Sequence, residues 1–300
     1  MIEYPVPALQ VSALRPYWRK LLGGNLKNVT RITHRDWREI RPDTVLGWLL
    51  RLPLRLIPRG TVLGIRFGVN RRAKWVIGTG VYSYWLGTYE LEKQVVMKRV
   101  VKPGMTVFDI GANAGFYTLF FSRLVGDQGQ VWAFEPLPEN GHNILRHIRL
   151  NRLRNVTLLQ AAVSDRIGAV GFVAEDNSTG AIAQGGDFIT PTFSLDYLVC
   201  NQVLPAPDLI KIDVEGAEYL VLEGARLLLN QQKPMLFIAL HGAEQKRRCQ
   251  KALERLDYQI FSLDGSALNT PVVQDDEIYA MPKCYGQFGA RCWMPHETYS

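Results

Sequence analysis

Residues 105–115, Met-Thr-Val-Phe-Asp-Ile-Gly-Ala-Asn-Ala-Gly, lead without a break into the apolar stretch 116–125. A short apolar run (Val107, Phe108, Ile110), a glycine turn and an apolar helix in direct succession belong to an α/β sheet whose strands are buried on both faces. The turn has the spacing Gly111-x-x-x-Gly115, with Asp109 just before it. Glycine is needed where a backbone turns sharply or where a ligand must approach without a Cβ in the way. Ligands of open α/β sheets sit beyond the carboxyl ends of the strands, so this turn marks a candidate cofactor site.

Downstream of the turn, strand and helix patterns alternate, the signature of a mostly parallel sheet. Strands are expected at 105–110, 130–135, 156–160, 208–213 and 234–240, and helices at about 116–125, 138–150, 216–230 and 242–256. A segment near 170–174 reads as an extra strand that runs into the polar, glycine-rich loop from Asp176 to Asp187. Two closely spaced final strands, 258–263 and 276–281, with a turn at Asp264-Gly265, fit an antiparallel hairpin that closes the sheet.

Upstream, a helix from about Tyr89 to Val101 stops at Pro103-Gly104, and 61–67 with 74–77 read as a small antiparallel pair about Gly68-Val69-Asn70. Residues 1–60, interrupted by Pro42, Pro53 and Pro58, mix short helical segments. The expected organisation is a helical and small-sheet preface over 1–86, followed by an α/β domain over 87–300.

Charge divides along the same line. Residues 1–80 carry 15 Lys/Arg against 4 Asp/Glu, and the other 220 carry 20 against 24. A basic segment of this kind either attracts nucleic acid, anionic lipid or an acidic substrate, or is simply a solvated face. The run from Val45 to Ile57 is too short to span a bilayer and holds Arg51 and Arg55. It reads as a helix packed on the domain, with peripheral membrane contact as the other option. The four cysteines form no Cys-x-x-Cys pair and no histidine cluster accompanies them, so no metal ligand set is read and a reducing, cytoplasmic setting is expected. Pro5, Pro7 and Glu3 interrupt any secretory signal.

Two features narrow the cofactor. The second strand ends at Glu135-Pro136, where a carboxylate can accept hydrogen bonds from a ribose diol. Asn113 stands where a dinucleotide fingerprint has its middle glycine, the residue that lets backbone meet a pyrophosphate. Both point to a nucleoside without phosphates, and S-adenosylmethionine (SAM) fits. The strand 208–213, Asp-Leu-Ile-Lys-Ile-Asp, delivers Asp213 and then Glu215 to the same crevice. Asp213 reads as a residue of the transfer centre, whereas for Glu215 helix capping is an equal alternative. His241, at the end of the strand 234–240, is either a general base or a hydrogen-bonded structural residue.

The combination Gly87-Thr-Tyr-Glu90, Phe108-Asp-Ile-Gly-Ala-Asn-Ala-Gly-Phe-Tyr117, Ala133-Phe-Glu-Pro136, Asn155-Val156, Ala161-Ala-Val-Ser164 and Ile210-Lys-Ile-Asp-Val-Glu-Gly-Ala-Glu218 resembles the FkbM-type SAM-dependent methyltransferases over roughly 85–245. The resemblance implies a Rossmann-like, class I methyltransferase sheet with SAM as methyl donor. It also implies O-methylation of a hydroxyl on a sugar, lipid-linked glycan or secondary metabolite. Carried over by residue, Asp109, Gly111, Ala112, Asn113 and Gly115 would frame the amino-acid end of SAM, and Glu135 would hold the ribose. Ala162 would lie near the adenine, Glu90 would close the site, and Asp213 would sit at the transfer centre. Apart from the resemblance, Asp213 and His241, at adjacent strand ends, are the candidates for orienting or deprotonating the acceptor. Ala239-Leu-His241 lacks the acid that this family often places before the histidine, which leaves the acceptor side open.

Other readings are an RNA methyltransferase and a non-catalytic nucleoside-binding module. The chain shows no Asn-Pro-Pro-Tyr motif and no recognisable RNA-binding module, so a small-molecule or glycan hydroxyl is the expected acceptor.

Overall fold

The computed structural model describes residues 57–174, 180–182, 188–268 and 275–283. The expected helical segments of 1–56, most of the loop at 176–187, Cys284 and Cys292 lie outside the described residues. Two strands come first, β1 (Val62–Gly64) and β2 (Lys74–Val76), paired antiparallel with Leu63 opposite Trp75. Two helices follow, α1 (Tyr82–Leu86) and α2 (Leu91–Val100). The glycine-turn strand is β3 (Thr106–Ile110), and the helix it opens is α3 (Phe116–Val125). Next come β4 (Gln130–Phe134), α4 (Pro138–Asn151) and β5 (Val156–Leu159). Pro138 starts α4 because its fixed φ suits a first helical turn and its missing N–H has no partner to lose there.

Four strands then form a separate sheet: β6 (Ala162–Val163), β7 (Gly168–Ala174), β8 (Gly180–Ile182) and β9 (Phe188–Phe193), in the order β6-β9-β7-β8. Only one of these strands was expected. The chain returns to the main sheet through α5 (Leu195–Cys200) and β10 (Leu209–Ile212). Helices α6 (Glu218–Glu223) and α7 (Arg226–Gln231) occupy the span read as one helix. Gly224 separates them: its backbone is pressed against the Ser164 carbonyl and its own carbonyl accepts from Asp196 N (2.8 Å). The remaining elements are β11 (Met235–Ala239), α8 (Ala243–Arg255), β12 (Tyr258–Ser262) and β13 (Glu277–Pro282).

The main sheet has seven strands in the order β12-β13-β11-β10-β3-β4-β5. β11, β10, β3, β4 and β5 are parallel, while β13 runs antiparallel between β11 and β12. The final pair is therefore a hairpin whose second strand inserts into the sheet. Central strands are buried on both faces because successive side chains alternate between two cores. Phe108, Ile110, Ile210, Ile212 and Ile238 face the helices α5–α8. Val107, Leu209 and Phe237 face α2 and α3 together with Ile65, Trp75, Tyr84 and Trp85 of the preface. Phe116, Phe120 and Phe121 of α3 are almost wholly buried there, and each contributes about 1.5–3 kcal/mol by leaving water.

Residues 57–86 thus share a core with the sheet. They are also pinned by hydrogen bonds: His147 of α4 accepts from Val76 N (3.1 Å), and Asn70 donates to Phe116 O (3.0 Å). Among the described residues no helix is long and apolar enough to cross a membrane.

Candidate active site

A cleft opens where the carboxyl ends of β3, β4, β10 and β11 meet the preface helices. Its floor is the turn after β3. Gly111 (φ 72°), Asn113 (φ 51°) and Gly115 (φ 90°) all have left-handed backbone, which lets the chain reverse within five residues. At Gly111 a Cβ would overlap the Asp213 carbonyl oxygen, so this glycine makes room for the end of β10. The amides of Gly111 and Ala112 both donate to Phe134 O (3.0 Å each), tying the turn to β4. Gly111, Ala112 and Asn113 line the cleft, whereas Gly115 sits behind them against Ile144 as the residue before α3.

Asp109 lies beneath the floor, fully buried. It accepts from Thr118 Oγ1 (2.6 Å) and pairs with Lys211 Nζ (3.3 Å). Lys211 is the residue that sequence reasoning passed over. It is 2% exposed, donates to Gly111 O (2.8 Å) and also pairs with Asp213 (3.5 Å). Burial alone would lower its pKa, but the carboxylates of Asp109 and Asp213 more than reverse that and hold the ammonium charged. A lysine inside an otherwise apolar strand, Leu-Ile-Lys-Ile, was the signal available.

Glu135 stands at the end of β4, 4% exposed. Its Oε2 accepts from Asn113 N (2.7 Å), and its Oε1 accepts from Leu137 N (2.9 Å) and Asn140 Nδ2 (3.4 Å). A carboxylate has about four lone-pair sites, so capacity remains for a ligand hydroxyl. Burial pushes the carboxyl up to about 7, against the lowering effect of these donors. Ala162 lies in the cleft wall beside Ala161 and Leu137.

The preface side is aromatic and acidic. Tyr84, Tyr89 and Phe116 pack with ring centroids 4.7–5.6 Å apart and line the cleft with Tyr117. Burial holds the three tyrosine hydroxyls well above their ordinary range, hence neutral. Glu90 precedes α2 with φ 42°, accepts from Tyr117 OH (2.8 Å) and pairs with Lys93 (3.1 Å). Lys93 is buried and also pairs with Glu277 of β13 (2.8 Å). Burial raises the Glu277 carboxyl to about 7, Lys93 opposing it.

At the other end, Asp213, Glu215 and His241 converge. His241 Nε2 lies 3.9 Å from Asp213 Oδ1 and 3.3 Å from Glu215 Oε2, and Nδ1 is 2.8 Å from Glu218 Oε1. Burial works to raise Asp213, yet Lys211, Lys93 and His241 keep its carboxyl below the usual range. For His241 the hydrogen bond to Glu218 is the largest influence, and Glu215 and Asp213 add to it. They lift the imidazole to about 9 despite burial. The ring therefore carries a proton at neutral pH, which departs from its reading as a general base: carboxylates surround it, and Glu218, on a different element, was not visible as a partner. Glu215 (φ 51°) makes no cap bond to α6, and its carboxylate turns to the histidine instead.

A doubly wound sheet with an antiparallel β13 and a glycine-turn cleft lined by Glu135 is that of a Rossmann-like SAM-dependent methyltransferase. The Methyltransferase FkbM domain matches residues 109–264, over half of the chain, and the chain belongs to that family. The hexuronic acid methyltransferase AglP of Haloferax volcanii is 26% identical over 151 residues, covering 49% of this chain and 60% of AglP. The protein-L-isoaspartate O-methyltransferase of Methanothrix thermoacetophila is 25% identical over 115 residues, covering 34% of this chain and 55% of that protein. The chain thus spans less than two thirds of these curated relatives. The crystal structure of Methyltransferase FkbM from Methylobacillus flagellatus superimposes with a TM-score of 0.42 at 20% identity, covering 67% of this chain and 53% of that one.

The residues present fit SAM. Glu135 retains acceptor capacity for a ribose, small alanines at 161 and 162 leave a slot for a flat base, and aromatic faces attract a cationic sulfonium. The described lining holds five carboxylates (Glu90, Glu135, Asp213, Glu215, Glu277) against Lys211 and His241, a balance suited to a positively charged ligand.

Proposed function

We propose that this chain is an O-methyltransferase whose acceptor is a hydroxyl of a sugar or glycan. The observation that carries this reading is Asp213: partly open to the cleft, kept ionised by Lys211, and placed beside His241. SAM supplies an already electrophilic methyl group when bound. The chain's own task is alignment, which can be worth about 7–11 kcal/mol. Asp213 accepts the hydrogen bond of the acceptor hydroxyl and so aims its oxygen, and the hydroxyl proton leaves by way of this carboxylate to bulk water as the methyl group is transferred. The protonated His241 keeps that carboxylate in place. The similarity to a hexuronic acid methyltransferase supports a sugar acceptor.

The test is transfer of isotopically labelled methyl from SAM to a panel of hexoses, hexuronates, glycolipids and RNA. Labelled glycoside or uronate with wild type, reduced at least ~100-fold in Asp213→Asn with SAM affinity kept, is the expected result. Label in RNA alone would overturn the reading.

A further inference from the structure

The convergence of Asp213, Glu215 and His241 has a use beyond steering a hydroxyl. Three ligand atoms, one from each side chain, all lie within 4.8 Å of one another at the ends of β10 and β11. His241 is oriented for coordination: Nδ1 donates to Glu218 at 2.8 Å, and Nε2 faces the two carboxylates, so that a cation bound there would displace the Nε2 proton the ring carries in its absence. A carboxylate behind a histidine is the usual outer support of a metal-binding imidazole, fixing its tautomer and ring plane.

A second observation asks for positive charge at this place. Glu218 is fully buried, reaches the cluster through Oε1, and its Oε2 has no hydrogen-bond partner. Of the neighbouring lysines, Lys93 pairs with Glu90 and Glu277, while Lys211 pairs with Asp109 and touches the cluster at Asp213 and not at Glu215. Among the described residues His241 is the cationic partner of both Glu215 and Glu218, and Glu218 Oε1 also accepts from Gly216 N (2.9 Å).

We propose that Asp213, Glu215 and His241 bind a divalent cation of the Mg²⁺/Mn²⁺ class. We further propose that this cation takes two adjacent oxygens of the acceptor, as in a vicinal diol or a 2-hydroxy-carboxylate. Two carboxylates and one imidazole are a hard set for such an ion and leave three octahedral positions open. A cation there fixes the acceptor at two points and lowers the pKa of the coordinated hydroxyl, whose proton leaves to bulk water. The inference rests on the methyltransferase reading for the identity of the acceptor, but the cation site itself does not.

Chelator-treated protein would be titrated with MnCl₂, following the signal of free Mn²⁺ by electron paramagnetic resonance, with S-adenosylhomocysteine (SAH) binding measured in parallel. The expected result is one Mn²⁺ per chain, bound roughly 10–100-fold more weakly in Glu218→Gln. Glu215→Gln and His241→Gln should abolish Mn²⁺ binding while SAH affinity, which also reports folding, stays within a few-fold. Wild type that binds SAH but no Mn²⁺ at millimolar concentration overturns the cation site and leaves the methyltransferase reading standing. Mn²⁺ binding indifferent to all three substitutions overturns it too. Loss of SAH binding by wild type strikes the methyltransferase reading instead. A further expected sign is that Mn²⁺ lowers KM for cis-diol acceptors and not for monohydroxyl ones.

Discussion

Acidification will withdraw the contribution that one buried ring, His147, makes to stability. The side chain is 2% exposed, stacks on Trp75 at 3.8 Å, and joins two parts of the chain. Its Nε2 accepts from Val76 N (3.1 Å) in the β1–β2 unit, while Nδ1 donates to Ala114 O (2.9 Å) in the glycine turn. Only the neutral ring can do both, since an imidazolium has no acceptor. Burial accordingly lowers its pKa from 6.5 to about 4, the bond to Ala114 opposing.

The sign follows from which state takes the proton. The unfolded chain protonates His147 below 6.5 and the native state only near 4, so its contribution is complete above 6.5 and is lost as pH falls between these values. At about 1.36 kcal/mol per unit the loss approaches ~3 kcal/mol. Glu135 and Glu277, raised by burial to about 7, act in the opposite direction, since the native state takes their protons first as pH falls below 7.

A comparison of wild type with His147→Gln removes those common contributions. Glutamine keeps a donor and an acceptor but does not titrate. Urea unfolding at several pH values from 7.5 to 4 should show wild type the more stable at neutral pH, with the difference shrinking by about 3 kcal/mol, or about 1 M in midpoint for an m-value near 3. Parallel stability curves for the two proteins would refute the role assigned to His147.

Two further outcomes follow from the site. The Glu135 carboxylate accepts best when ionised, so SAH affinity should fall as pH drops from 8 to 6, with the slope flattened in Glu135→Gln; calorimetry at each pH checks it. Lys211→Met leaves Asp109 and Asp213 without their shared cation and should cost about 3–5 kcal/mol by urea unfolding, partly restored by Asp109→Asn in the same chain.

Much of this was legible in residue order. α3 falls on the expected 116–125, and the five parallel strands and helices α4 and α8 lie within one or two residues of expectation, because apolar periodicity and glycine turns are local signals. The second sheet was hidden because β9 carries Thr190-Pro191-Thr192, a polar stretch that becomes a strand only when paired with β7. The break between α6 and α7 depends on Ser164, sixty residues away from Gly224 in sequence, and no local propensity reports it.

At the site, Gly111, Asn113, Glu135, Asp213 and His241 meet in one cleft, as their positions at strand ends require. The charge partners were not legible. Lys93, Lys211 and Glu218 acquire their roles from distant elements, and they help decide that Asp213 is ionised and His241 protonated.

The central claim is that this cleft holds an adenosyl cofactor on the turn after β3. Calorimetric titration with SAM, SAH and NADH tests it most directly, with Glu135→Ala as the control. Micromolar binding of both adenosyl ligands, weakened at least ~10-fold in the variant and absent for NADH, is the result this account predicts. Binding of NADH in place of SAM and SAH, or of none of the three, would contradict it.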